Sequence, residues 1–201
     1  MTTLTLAVGR PTLVDRVVPR RLVTDIGLVL GGALLTGALA QIAIPLWPVP
    51  ITGQTLAVVL VGGALGATRG ALSMLVYALV GALGVPWFSD GTAGWAILLG
   101  PTGGYIVGFV FAAAFTGWLA QRRWDRRFLR GLLAMVGGSL VVFAIGLPWL
   151  AFALQLNLQQ TLEAGLYPFI IGGVIKAALA AALMPLLWRA AESRRGGKSD
   201  R

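Results

Sequence analysis

The sequence predicts an all-α integral membrane protein with six transmembrane helices and both termini cytoplasmic. Three observations predict it. Of the 201 residues 57% are hydrophobic and 11% charged, with a mean hydropathy of +0.84; that leaves too little polar surface to clothe a water-soluble domain. Apolar segments of membrane-spanning length recur along the chain. All but one of the 16 Lys and Arg residues fall outside those segments, in four groups: Arg10 to Arg21, Arg69, Arg122 to Arg130, and Arg189 to Arg201. Such groups read as positive-inside topology signals.

The first helix is expected from about Thr24 to Ile44, stopped by Pro45. The second (about Gln54 to Ala67) and third (about Ala71 to Gly84) are short for full spans and imply help from flanking re-entrant structure. The fourth runs from about Thr102 to Gln121 and the fifth from about Gly131 to Leu156, with a kink expected at Pro148. The sixth runs from about Pro168 to Trp188. Residues 1–23 then form a cytoplasmic N-terminal tail, 24–188 the six-helix membrane domain, and 189–201 a basic cytoplasmic C-terminal tail. The N-terminus has no apolar run followed by a small-residue cleavage site, so a cleaved signal peptide is not expected.

Connectors without Lys or Arg alternate with the basic ones, which include a turn at Arg69. They are Pro45 to Gly53, Val85 to Pro101 and Asn157 to Tyr167, and they face outward in this topology. Net charge is +9, but with the arginines flanking apolar spans, and no basic helix face or aromatic-basic interleaving, the lipid bilayer is the expected partner and nucleic acid is not. The chain has no Cys and no His, which removes disulfides, thiolate chemistry and the commonest metal ligand, so no metal site is expected.

Lys176 is the exception among the cations. It is the ninth residue of its expected helix, about 12 Å below the outer end. A lysine at that depth either snorkels to an interface or is satisfied by a partner in a cavity. Its small neighbours and the lack of an acid at similar depth favour a bound polar or anionic ligand, in a pocket toward the outer face. In Pro48-Val-Pro-Ile-Thr-Gly-Gln-Thr55, Thr52 is placed to cap the second helix, while Gln54 is not needed for capping and is a candidate ligand contact. Gly100-Pro-Thr-Gly-Gly-Tyr-Ile-Val-Gly108 opens a helix with glycines that permit close backbone approach and amides that favour an anion. It lacks the Lys-Ser/Thr ending of a phosphate-binding P-loop, and Gly104 with Gly108 equally suits plain helix packing. Trp87 and Phe88 offer an apolar wall or an interfacial anchor. Ala33 and Gly37 are spaced for close helix contact, within the molecule or with a partner. The arginines from Arg122 to Arg130 are topology determinants first, with a partner or anionic lipid as the alternative.

Together, Pro48 to Thr55, Gly84-Val-Pro-Trp-Phe88, Gly100 to Tyr105, Gly146-Leu-Pro-Trp-Leu150 and Gly172-Gly-Val-Ile-Lys176 stand in the order and spacing of BioY, and from about Thr24 to Leu187 the chain resembles that family. BioY proteins are the biotin-capturing S components of energy-coupling factor (ECF) transporters. The resemblance implies a six-helix fold with a biotin pocket near the outer face of a prokaryotic cell membrane. It also implies no cofactor, biotin being cargo, and a coupling subunit with an ATPase pair as energy source unless the protein acts alone. Lys176 matches the family's pocket lysine, and Gly100 a glycine whose backbone approaches ligand. Gly173 stands where the family commonly has Asp, and Ser89 where it often has Asn, with Asp90 beside it as a substitute. Thr102, Gly103 and Tyr105 join the expected contacts, and Ala33 and Gly37 resemble the small-residue motif that meets the coupling subunit. The alternatives are capture of another small vitamin or precursor, a membrane-embedded enzyme, for which no dyad spacing is present, and a purely structural subunit.

Overall fold

The computed structural model describes residues 4–196. The first three residues of the expected N-terminal tail and the last five of the basic C-terminal tail lie outside the described residues. Six long helices follow the expected order: α1 (Leu22–Ala40), α2 (Gln54–Leu65), α3 (Ala67–Ala82), α5 (Gly103–Gln121), α6 (Phe128–Leu154) and α8 (Tyr167–Gly196). Two short helices fall in regions read as connectors, α4 (Trp95–Leu99) and α7 (Leu158–Gly165). A two-stranded antiparallel hairpin, β1 (Ala43–Ile44) with β2 (Ile51–Thr52), pairs Ala43 with Thr52 between α1 and α2. Among the described residues four helices, α1, α5, α6 and α8, are long and apolar enough to cross a membrane; α2 and α3 are shorter and apolar.

Helix α5 is the hub. Its apolar window is 67% buried, against 33% for α1, 28% for α6 and 22% for α8. Large side chains such as Leu34, Phe111, Leu140 and Ile171 point outward uncovered, as they do when hydrocarbon is the solvent. Contact at the hub is through small residues. A Cβ on Gly62 of α2 would lie 2.5 Å from the Ala113 carbonyl oxygen, and one on Gly70 of α3 would lie 2.9 Å from the Gly62 Cα. Helices α2 and α3 are joined by Gly66 alone, at φ 87°, a backbone that L side chains avoid. The expected turn at Arg69 is therefore not a connector: Arg69 lies inside α3.

Sequence signals explain the ends of the elements. Asn157 and Gln160 cap α7 reciprocally, with the Gln160 amide donating to Asn157 Oδ1 at 2.9 Å and the Asn157 amide to Gln160 Oε1 at 3.0 Å. That motif was legible, and a connector reading overlooked it. Pro148 stands inside α6, which runs on to Leu154 and stops at Gln155 in a left-handed conformation, φ 54°. Helix α8 passes Pro185 and continues beyond Trp188.

The segment before α1 is folded against the bundle. Arg69, 1% exposed, is the reason. Its Nη1 donates to Asp25 Oδ1 at 3.0 Å, its Nη2 to Asp15 Oδ1 and Thr12 Oγ1 at 2.9 Å, and its Nε to the Leu65 carbonyl at 2.9 Å. Asp25 also accepts from Thr5 Oγ1 at 2.7 Å and the Leu6 amide at 2.8 Å, and Asp15 from Arg20 at 2.8 Å. Two guanidinium groups thus meet two carboxylates whose oxygens all find donors, the condition under which a buried ion cluster holds, although the Arg20 Nε is left without a partner among the described residues. Burial opposes ionisation of Asp15, but Arg20, the Thr12 amide and Arg69 outweigh it and keep its carboxyl below the usual range.

Nearby, the Trp188 indole N–H donates to the buried Asp125 Oδ2, and Arg16 and Arg126 lie over the Trp188 ring at 5.8 and 4.1 Å from its centroid. Asp125 Oδ1 has no partner among the described residues. Burial pushes the Asp125 carboxyl up to about 6, against the opposing pull of Trp188, its own backbone amide and Arg126.

Replacing Arg69 with Met leaves the buried Asp25 without a counter-ion and Asp15 with Arg20 alone. The expected cost is about 3–5 kcal/mol, read as a large fall in Tm of the detergent-solubilised protein, whereas Arg20→Gln, at a half-buried position where Asp15 keeps Arg69, costs about 1 kcal/mol. Asp125 binds its proton more tightly in the folded state than in the unfolded chain, where its value is 3.8. Its contribution to stability is therefore complete below that value and lost as pH rises through about 6. Tm measured between about pH 4 and 7 should show that decline in wild type, and a flatter profile in Asp125→Asn, which keeps an acceptor for Trp188.

Candidate ligand-binding site

At the end of the bundle opposite the Arg69 cluster, the hairpin, the Leu83–Thr102 connector and the start of α8 enclose a cavity of about 220 Å³. Lys176, the tenth residue of α8, lies on its wall. Its Nζ donates to the Thr52 carbonyl at 2.5 Å and to Thr55 Oγ1 at 3.2 Å. An ammonium carries three donors, so one remains for a ligand among the described residues. The hairpin makes this possible: the Gly53 amide donates to the Ile42 carbonyl at 2.9 Å, which fixes the chain where Thr52 enters α2.

Gln54 and Thr52 continue the polar side. Thr52 Oγ1 donates to Gln54 Oε1 at 2.7 Å, and Gln54 Nε2 to Tyr77 Oη at 2.6 Å. Thr52 also accepts from the Gln54 amide at 3.3 Å, although the capping position is Gly53. The remaining walls are apolar, formed by Phe88, Tyr105, Ile106, Phe109, Val142, Phe143 and Phe169. Tyr105, Phe143 and Phe169 form an aromatic cluster with centroids 6.1–6.4 Å apart, and Tyr105 is anchored by its hydroxyl to the Gly165 carbonyl at 3.0 Å.

Ser89, Asp90 and Thr92 line the cavity from the connector. Asp90 is exposed and left-handed at φ 57°, which a short polar side chain tolerates, and Gly91 follows at φ 67°. Gln41, at the end of α1, clamps this loop: its Nε2 reaches the Trp87 and Phe88 carbonyls at 3.2 and 3.1 Å, and its Oε1 accepts from the Gly91 amide at 3.1 Å.

The structure therefore brings Lys176, Thr52, Gln54, Phe88, Ser89, Asp90, Thr102 and Tyr105 together around one cavity. Four expected contacts do not line it. Trp87 turns into the bundle, its indole N–H donating to the Tyr77 carbonyl at 3.0 Å and its ring against Gly37. Gly100 backs onto α6, where its carbonyl accepts from Trp149 Nε1 at 2.9 Å. Gly103 lies against the Leu98 carbonyl, and its amide and that of Tyr105 are used by the Gly100 and Thr102 carbonyls, so they are not free for an anion. Gly173 faces open space. Ala33 and Gly37, expected to meet a partner, are both buried within this chain, where a Cβ on Gly37 would stand 3.1 Å from that of Trp87. Sequence reading missed Thr55, Phe143, Phe169 and Gln41. Thr55 was visible one residue beyond Gln54, but the others are brought in by tertiary packing alone.

The arrangement suits a small amphipathic molecule, with a charged donor for a polar head and aromatic walls for its body. The BioY family model matches residues 10–193 of the chain. The chain belongs to the BioY family. It is 40% identical over 154 residues to the biotin transporter BioY of Rhizobium etli, covering 73% of this chain and 82% of that protein. It is also 40% identical over 156 residues to the probable biotin transporter BioY of Pyrococcus horikoshii, covering 78% and 91%. A crystal structure of the S-component for biotin from an ECF-type ABC transporter matches with a TM-score of 0.74 at 27% identity, covering 83% of this chain and 92% of that one. This BioY-family chain is thus a multi-pass membrane protein whose relatives are named transporters, not enzymes.

Phe88 is seated against Gly81, where an added Cβ would overlap its ring. Gly81→Ala should lower Tm by the equivalent of about 1–3 kcal/mol through overpacking. Gly173→Ala, in open space on a helix, should leave Tm unchanged or raise it by up to about 1 kcal/mol.

Proposed function

We propose that this chain captures biotin reversibly in the Lys176 cavity and mediates its uptake as the S component of an ECF transporter. Biotin is then cargo and not a cofactor, and no chemistry is done on it. The single observation that carries the reading is a lysine with an unused donor at the polar side of an otherwise apolar, aromatic-walled cavity. The names of the relatives and of the solved S component supply the ligand.

In this reading Lys176 donates to the polar ureido head, Gln54 and Thr52 stand beside it, and Phe88, Tyr105 and Phe143 hold the bicyclic ring. Ser89 and Asp90 close the mouth, and Asp90 offers an acceptor in place of the family carboxylate absent at Gly173. The alternation of basic and neutral connectors supports six spans between residues 24 and 188, cytoplasmic termini and an outward-facing cavity, in the cell membrane of a prokaryote. No phosphate-binding loop occurs in the sequence, so uphill transport draws on a coupling subunit and an ATPase pair, or the protein runs downhill alone. Gly173 and Ser89 favour one second reading, capture of another small vitamin or precursor by the same cavity.

Equilibrium binding of radiolabelled biotin to the purified protein tests this directly. Saturable binding tighter than about 1 μM is expected, and its absence, with stabilisation by another vitamin in a thermal-shift panel, transfers the assignment to that ligand. Lys176→Met should weaken binding about 10- to 100-fold, the worth of one charge-assisted hydrogen bond. Unchanged affinity in that variant removes the lysine from the site.

A further inference from the structure

The basic end of the bundle carries a second concave feature with its own chemistry. A cleft of about 270 Å³ is lined by four arginines, Arg10 and Arg16 from the N-terminal segment and Arg123 and Arg126 from the α5–α6 turn, with Pro11 and Gln121 between them. No carboxylate lines it. Of the acids on these segments, Asp15 is held by Arg20 and Arg69, and Asp125 accepts from the Trp188 indole through one oxygen while the other has no partner among the described residues. None of the four arginines makes a salt bridge among the described residues, whereas Arg20 and Arg69 do. The Nε atoms of Arg16 and Arg126 are buried and lack a hydrogen-bond partner there; so does that of Arg20, whose terminal nitrogens are nonetheless paired with Asp15 and the Gly9 carbonyl.

Topological sorting explains why arginines collect at this end of the molecule. It does not explain why four from two distant segments converge on one cleft, two of them with a buried and unused donor. Like charges at close range repel, and a buried unsatisfied donor costs about 1–3 kcal/mol. The Trp188 ring attracts the Arg126 and Arg16 guanidinium groups, 4.1 and 5.8 Å from its centroid, but accepts none of their N–H donors in a conventional hydrogen bond. Arg123 reaches the cleft from a left-handed backbone, φ 67°, a cost that the surroundings must offset.

We propose that this cleft binds a phosphate-bearing anion, an anionic phospholipid headgroup or a free phosphate, through the guanidinium groups of Arg10, Arg16, Arg123 and Arg126. Planar forked donors match phosphate oxygens in pairs. The segment that carries Arg16 favours the lipid source, because its Val14, Val17 and Val18 line an apolar cleft of about 380 Å³, room for an acyl chain.

The test uses the full chain in a neutral detergent, with thermal-shift titrations of dioctanoyl-phosphatidylglycerol, dioctanoyl-phosphatidylcholine and inorganic phosphate. Two double variants remove equal charge: Arg10→Gln with Arg123→Gln inside the cleft, and Arg127→Gln with Arg130→Gln outside it. The first pair leaves the Trp188 stack untouched, so its Tm without probe should match that of the second. Saturable stabilisation by phosphatidylglycerol, absent with phosphatidylcholine and weakened about tenfold or more only in the cleft pair, identifies a lipid headgroup site. Equal protection by inorganic phosphate with the same variant pattern identifies a soluble anion. Equal weakening in both pairs reveals diffuse electrostatics and overturns the proposal, as does failure of the anionic probes to stabilise wild type.

Discussion

An ammonium group placed ten residues into an apolar helix must be satisfied by the protein, because hydrocarbon offers it nothing. Much of the loop end of this molecule follows from that demand. The chain leaves α1, makes a two-residue-per-strand hairpin and enters α2 so that the Thr52 carbonyl and the Thr55 hydroxyl both face Lys176. A straight helix-to-helix turn would carry those groups past the lysine. The satisfaction is partial: two neutral oxygens are weaker partners for an ammonium than a carboxylate. The site is thus stable enough to fold and still has a donor to offer.

Arg69 shows the opposite solution in the same chain. It is as deeply buried as any large side chain, yet two aspartates, a hydroxyl and a carbonyl engage it. Completion makes that cluster structural: it ties the N-terminal segment to α1 and α3 and leaves no donor directed at a cavity. The contrast separates the two cations on physical grounds. A paired buried charge holds the fold, whereas an incompletely paired charge beside an apolar hollow marks a place for a guest.

The long helices were legible because bilayer-length apolar runs and charge segregation are strong signals with few competing explanations. Lys176 was legible for the same reason, as a charge in the wrong medium. Arg69 was misread by that very rule: it flanked an apolar run and passed for a topology signal, while its partners Asp15 and Asp25 lay 54 and 44 residues away in sequence. The glycine-rich motifs were correctly seen as close approaches, but sequence does not say what approaches. At Gly100 and Gly103 it is the Ala96 and Leu98 carbonyls, and at Gly37 it is Trp87, all within the fold. Phe143 and Phe169 carried no signal, since an aromatic residue in a membrane helix faces lipid as readily as a cavity.

Helix α8 joins the two ends of the molecule. Lys176 and Trp188 sit about 18 Å apart along it at 1.5 Å per residue, one in the cavity wall and the other beneath the Arg16 and Arg126 guanidinium groups. Between them Ala177, Ala180, Ala181 and Met184 are fully buried, while Leu179, Leu183 and Leu186 face outward. Alanines permit close approach without interlocking, and methionine adapts to an uneven surface. The position of α8 is therefore set chiefly by its polar attachments, Lys176 to the hairpin and Trp188 to Asp125. The apolar packing between those points supplies contact area, and the few hydrogen bonds at the ends supply register.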